Sequence, residues 1–222
     1  MKKLFALLLV LIMVMSMAAC TSNETDTNND NDTTENTTTE ATENVTDNND
    51  NAASNAGAVE ILQNVWDLYP EDEQFFVSGG NMEYHIEQME KDENYMPPNG
   101  PGVYDMAYAE NLPYLLYIPE AELANVDEAA TMIHGMLANN FSSGVVHVKT
   151  GTDVNAMATA IKENLAQTQW ICGTPDQMLI AVVNGEYVLV AFGVNDAMNP
   201  FVTRVGEAYP DAEVIYSGSI IG

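Results

Sequence analysis

The sequence predicts an α/β sandwich: a mixed β-sheet covered by amphipathic helices, in two layers. Three observations carry this expectation. Two near-continuous apolar runs, residues 178–183 and 186–192, flank Asn184-Gly185, the preferred dipeptide of a two-residue type I′ hairpin turn. Apolar residues at helical spacing alternate along the chain with short β-branched runs. The order of these elements mixes crossover connections with a hairpin, which suits helices laid on one mixed sheet.

Taken in order, Val59, Leu62, Val65 and Trp66 recur at helical spacing and end near Tyr69-Pro70. Phe75-Phe76-Val77 reads as a short strand, and Ser78-Gly79-Gly80-Asn81 as the turn after it. The stretch Tyr95-Met96-Pro97-Pro98-Asn99-Gly100-Pro101-Gly102 reads as a loop, since proline removes ladder donors and glycine costs order. Residues 114–118 read as a strand stopped by Pro119. Val126, Ala129, Ala130, Ile133 and Leu137 mark one face of a helix, with Asn125 and Glu128 as its capping pair.

Residues 145–149 form the next expected strand. Thr150 and Asp153 then open a helix whose core face is Val154, Met157, Ala158, Ile161 and Leu165. The Asn184-Gly185 hairpin is expected at the centre of the sheet, because its strands carry almost no polar residues. Asn199-Pro200-Phe201 reads as a cap followed by proline at the first helical position, and Val214-Ile215-Tyr216 as the last strand.

These elements occupy residues 58–222, roughly 165 residues, enough for one domain that buries about two-thirds of its unfolded surface. What precedes them is of a different kind. Residues 1–19 read as an export signal: Lys2 and Lys3, an apolar run from Leu4 to Met15, then Ser16-Met17-Ala18-Ala19 before Cys20. The apolar run is about a dozen residues, short of the ~20 that a membrane span needs. Small residues immediately ahead of a cysteine resemble the bacterial lipoprotein signal. That resemblance implies cleavage before Cys20 and a thioether-linked diacylglycerol on its sulfur, a two-chain anchor on the outer face of the cytoplasmic membrane.

Residues 21–57 are almost wholly Thr, Asn, Asp, Glu, Ser and Ala, with Val45 the one larger aliphatic residue and no aromatics. Such a composition cannot offset chain entropy by burial and predicts a disordered acidic stalk, spanning on the order of 35 Å. Asn29-Asp30-Asn31-Asp32 lacks the glycine and closing glutamate of a calcium loop.

Charge excludes one class of partner. The chain has 33 acidic and six basic residues, a formal net charge of -27, and no Lys/Arg cluster. A surface this negative repels nucleic-acid phosphates, so no nucleic-acid partner is expected.

The stretch from residue 114 to 205, with its strand at 145–149, its helix from Val154 to Leu165 and above all Val183-Asn184-Gly185-Glu186-Tyr187-Val188-Leu189, resembles an uncharacterised domain of lipoproteins from Gram-positive anaerobes. That family pairs a lipobox with one small α/β domain of unknown function. The resemblance implies an extracellular, lipid-anchored address and the fold; it brings no catalytic residue.

Candidate chemistry is sparse. With Cys20 lipidated, Cys172 is a lone thiol with no intrachain disulfide partner. It reads either as a buried, inert thiol at a helix end or as the nucleophile of an exported hydrolase or transpeptidase, with His134 or His147 as base. The sequence around it carries neither signature of the known cysteine peptidases, which favours the first reading. His85, His134 and His147 are too scattered for metal-ligand spacing, and each reads as a surface or hydrogen-bonded histidine. No phosphate loop, nucleotide fingerprint or Ser-His-Asp arrangement occurs, so neither cofactor nor metal is expected.

The remaining feature is the tyrosine- and proline-rich region with Tyr84, Tyr95, Tyr104 and Tyr108. Rigid amphipathic rings offer large contact area at small entropic cost, which makes this the expected recognition loop, unless the rings serve to pin the loop to the domain. The sequence therefore predicts a membrane-tethered, non-catalytic binding or accessory module, with a Cys172-dependent enzyme as the alternative. A solute-capturing lipoprotein of the transporter type would need two lobes around a cleft.

Overall fold

A computed structural model describes residues 57–171 and 173–220, which fall within one compact unit. Its centre is a seven-stranded sheet, β1 (Val77–Ser78), β2 (Gly102–Tyr104), β3 (Val126–His134), β4 (Phe141–Val148), β5 (Gln177–Val183), β6 (Tyr187–Gly193) and β7 (Glu213–Ser219). The spatial order is β1-β3-β4-β6-β5-β7, with β2 also paired to β3. Five α-helices accompany the sheet, α1 (Ala58–Trp66), α2 (Met82–Lys91), α3 (Leu112–Leu115), α4 (Val154–Ala166) and α5 (Asn195–Ala208).

The α/β sandwich expected from the sequence is present, with two differences in detail. Every strand pair is antiparallel, so the sheet is not mixed. The reason lies in the hairpin. α4 carries the chain from β4 to β5 as a crossover, but β6 returns from the Asn184-Gly185 turn and inserts between them. A would-be parallel pair thus becomes two antiparallel ones, and the same happens after α5, where β5 separates β6 from β7. Asn184 (φ 54°) and Gly185 (φ 73°) both take the left-handed backbone that a type I′ turn requires.

The second difference is that helices cover both faces, giving three layers where two were expected. On β6, Tyr187, Leu189 and Ala191 join the core under α1 and α5, while Val188, Val190 and Phe192 face the core of α4, Leu112, Leu116 and Ile118. Successive strand side chains point to opposite faces, so a strand covered on both sides shows a continuous apolar run. α4 matches its sequence pattern: Asp153 Oδ1 accepts from the Asn155 and Ala156 amides at its start, and Met157, Ala158, Ile161 and Leu165 are buried.

Three segments depart from expectation. In place of the helix expected over Val126, Ala129, Ala130, Ile133 and Leu137, the first four residues lie on strand β3 and Leu137 lies beyond its end, and Asn125 and Glu128 do not cap anything together. Asn125 instead donates to Glu122, and Glu128 accepts from the Ala58 amide at the start of α1. Ala129, Ala130, Thr131 and Met132 are all buried, two toward each face of a strand flanked by β1, β2 and β4. A strand wrapped in this way has no polar face, so its apolar residues can fall at helical spacing by coincidence.

Residues 114–118, expected as a strand, instead end α3 and continue into an irregular segment with Tyr117 at φ 58°. Leu112 and Leu116 share one buried helical face, and Pro113 suits a helix start. α5 begins at Asn195, not at the Asn199-Pro200 step, because the Asp176 carboxylate accepts the Asn195 amide and sets the entry. Pro200 lies inside that helix.

Candidate functional site

α2 has no counterpart in the sequence reading, and its attachment creates a cleft in the domain. A helix normally docks through an apolar stripe. α2 buries one side chain, His85, and leaves Met82, Ile86 and Met89 exposed on a common face. Its attachment to the sheet is largely polar.

Three of the five buried polar side chains of the described domain make that attachment: Asn81, His85 and Thr131. Thr131 Oγ1, on β3, accepts from the Gly80 amide at 2.9 Å and donates to the Gly80 carbonyl at 3.1 Å. Asn81 accepts from the Asp105 amide at 2.5 Å and donates to its carbonyl at 3.4 Å, tying the start of α2 to the end of β2. The two chains meet because glycine permits it: a Cβ on Gly79 would run into the Gly102 nitrogen and the Thr131 carbonyl oxygen.

His85 completes the frame. Its Nε2 lies 2.8 Å from the Gly79 carbonyl oxygen, which can only accept, so Nε2 carries the proton. In the neutral ring Nδ1 is then an acceptor, and the Tyr95 hydroxyl at 2.9 Å donates to it. The His85 and Tyr95 rings also stack, with centroids 6.1 Å apart and planes inclined by 27°.

Between α2 and β2 this frame leaves an open cleft of about 660 Å³. Tyr84, Tyr95 and Tyr108 line it, with Glu87 and Asp105 adding carboxylates. Asp105 Oδ1 accepts from the Ala107 amide, which orients that carboxylate. Lys91 donates to Glu87 at 2.8 Å, and this hydrogen bond with its charge holds the Glu87 carboxyl below the usual range. Of the four tyrosines expected as a recognition loop, three therefore converge on one cleft.

Tyr104 does not join them. It is 2% exposed and donates its hydroxyl to the Tyr108 carbonyl at 3.0 Å, so it pins the loop from beneath. Burial pushes this hydroxyl's pKa up, and the Glu83 carboxylate adds to the effect. Here the pinning alternative applies.

A second hollow of about 430 Å³ lies along α2, lined by Met82, Tyr114, Leu115, His134 and Met136 among others. It shares Gly80 and His85 with the first. His134 accepts from the Met136 and Leu137 amides through Nδ1, at 3.2 Å each, and stacks on Phe75.

His147 sits at the far end of β4 in an acidic setting. Its Nδ1 lies 2.5 Å from Asp127 and its Nε2 3.7 Å from Glu186. Burial disfavours its charge, but the hydrogen bond and charge of Asp127, with Glu186 behind them, outweigh this and raise its pKa above the ordinary value. Cys20 and Cys172 lie outside the described residues. Ile171 and Gly173, on either side of Cys172, are held through their carbonyls by the Asn139 amide group. Asn139 lies two residues before the Phe141 end of β4, opposite to His147. Among the described residues no three His, Cys, Asp or Glu side chains converge as metal ligands, and no helix is long and apolar enough to cross a membrane.

Sequence motifs could have found part of this site. Ser78-Gly79-Gly80-Asn81 and Gly100-Pro101-Gly102 are two glycine-bearing turns on either side of Tyr84 and Tyr95, a pattern that marks close backbone approach. The roles of His85, Glu87 and Asp105 carried no sequence signal. No family model, no curated protein and no solved structure matches this chain.

Proposed function

We propose that this chain is a non-catalytic binding module, displayed outside a bacterial membrane on a lipid carried by Cys20, and that the cleft between α2 and β2 receives its ligand. One observation carries the binding reading: three tyrosines line a cleft of about 660 Å³ above a buried polar frame of His85, Asn81 and Thr131. That volume lies within the ~300–1,000 Å³ typical of small-ligand sites. Partly exposed rings held by a rigid frame supply contact area with little ordering cost on binding. The lipid address rests on Cys20 following small residues and a short apolar run. The resemblance of residues 114–205 to anaerobe lipoprotein domains accords with it.

The test is a fragment screen by amide-detected NMR on the full chain, repeated with a Tyr84→Ala/Tyr108→Ala double variant. Both side chains are exposed, Tyr84 55% and Tyr108 38%, so the variant keeps its core. Bound fragments should shift the amides of Gly79, Gly80, Tyr84 and Gly102, and the double variant should lose most of that response. Fragments that bind elsewhere, or that bind the variant equally well, would remove the cleft from consideration.

A further inference from the structure

We propose that the cleft between α2 and β2 selects an organic cation, an ammonium or a guanidinium, held against the faces of Tyr84, Tyr95 and Tyr108 and by the carboxylates of Glu87 and Asp105. This rests on the binding reading above and adds the chemical class of the ligand.

The hydrogen-bonding inventory of the cleft leans toward acceptors, with the Tyr84 and Tyr108 hydroxyls able to donate or accept. The His85 Nε2 proton is directed at the Gly79 carbonyl, and with the ring neutral the Tyr95 hydroxyl proton is directed at Nδ1. Tyr95 therefore meets a ligand with oxygen lone pairs, not with a donor. One hydrogen of the Asn81 amide group is directed at the Asp105 carbonyl, and the Gly80 amide is used on Thr131. Two carboxylates line the space, and its walls contain neither lysine nor arginine. Lys91 touches this set only by sharing Glu87 from the same helix face.

Helix N-termini carry partial positive charge, which by itself favours an anion at the start of α2. Glu83 in the first turn already supplies a negative group there, and Glu87 and Asp105 would repel another. Tyrosine faces attract cations through the ring quadrupole, and loss of that attraction weakens binding by roughly 3- to 30-fold. The formal charge of -27 draws cations toward the whole surface and raises their rate of encounter.

Two sources share this chemistry: a free small ammonium compound, and a lysine or arginine side chain on a peptide. Calorimetric titration of the full chain with choline, Nα-acetyl-lysine amide and Nα-acetyl-arginine amide separates them, because the tighter probe identifies the source. The neutral isostere of choline, 3,3-dimethylbutan-1-ol, is the control, and a Glu87→Gln/Asp105→Asn variant is the second arm. Asp105→Asn keeps the side-chain oxygen that accepts the Ala107 amide, so the loop geometry is retained.

At least one cation should shift the cleft amides in NMR and bind roughly 3- to 30-fold more tightly than the neutral control. The variant should lose that preference, and raised salt should weaken it. Equal affinity for choline and its isostere, or full cation affinity in the variant, overturns the assignment. Neutral or anionic compounds that occupy the cleft where cations do not would overturn it while leaving the binding reading intact. If no probe of any charge shifts the cleft amides, both fall.

Discussion

Replacing His85 by alanine tests the frame on which the cleft depends. The imidazole is 6% exposed and joins two partners, the Tyr95 hydroxyl and the Gly79 carbonyl. Each hydrogen bond contributes about 1 kcal/mol net, and leaving a buried carbonyl without its donor costs about 1–3 kcal/mol. Tyr95 is less buried than His85 and can turn to water, so its share of the loss is small. The expected destabilisation is about 2–3 kcal/mol. Because His85 is the one buried side chain of α2, the loss should concentrate in that helix before it reaches the central strands.

Native-state hydrogen exchange reads this directly. A loss of 2 kcal/mol is roughly a 30-fold acceleration, expected at the amides of α2 and around Gly79. Tyr95→Phe removes one of the two bonds and should cost about 1 kcal/mol, with a coupling of about the same size between the two sites in a double-mutant cycle. Acceleration below threefold in His85→Ala, or additivity in the cycle, would show that the stack of rings and not the hydrogen-bonded bridge holds the helix.

Gly79→Ala should destabilise by more than about 3 kcal/mol in urea unfolding, since its Cβ meets backbone atoms of Gly102 and Thr131 that cannot rotate away; a loss under 1 kcal/mol would contradict that close approach. His147 has a folded-state pKa raised above 6.5, so its ion pairs stabilise fully below that pH and the effect is lost as pH rises through the folded value. The stability gap between the protein and His147→Gln should therefore be wider at pH 5.5 than at pH 8.5, and a gap that is equal or wider at pH 8.5 would refute this. Cys20→Ala should abolish lipidation and shift the protein out of the membrane fraction or leave it uncleaved; a variant that is processed and remains fully membrane-bound would sink the tether.

Legibility in the sequence followed the local character of each element. α4 and the hairpin were readable because their signals lie within a few residues: Asp153 caps its own helix, and Asn184-Gly185 can adopt left-handed backbone whatever surrounds them. β3 was not readable. Its residues carry the spacing of a helix, and the choice of strand came from β1, β2 and β4, partners as distant in the chain as Val77 is from His134. α2 escaped notice for the opposite reason, because its exposed Met82, Ile86 and Met89 and its buried His85 do not make an inward apolar stripe.

The candidate site divides in the same way. Tyrosine chemistry is a property of the residue, so Tyr84, Tyr95 and Tyr108 could be named before their positions were known. Tyr104 has the same chemistry, and its burial under the Tyr108 carbonyl removed it from the cleft. The acidity of the chain, the small residues ahead of Cys20, the Thr/Asn-rich composition of residues 21–57 and the hairpin all follow from residue identity and short-range order. The antiparallel order of the sheet, its second covered face and the polar clamp of His85, Asn81 and Thr131 arise from contacts between distant segments. Such contacts leave no periodic trace, because a hydrogen bond across a fold constrains two atoms and not the spacing of their neighbours.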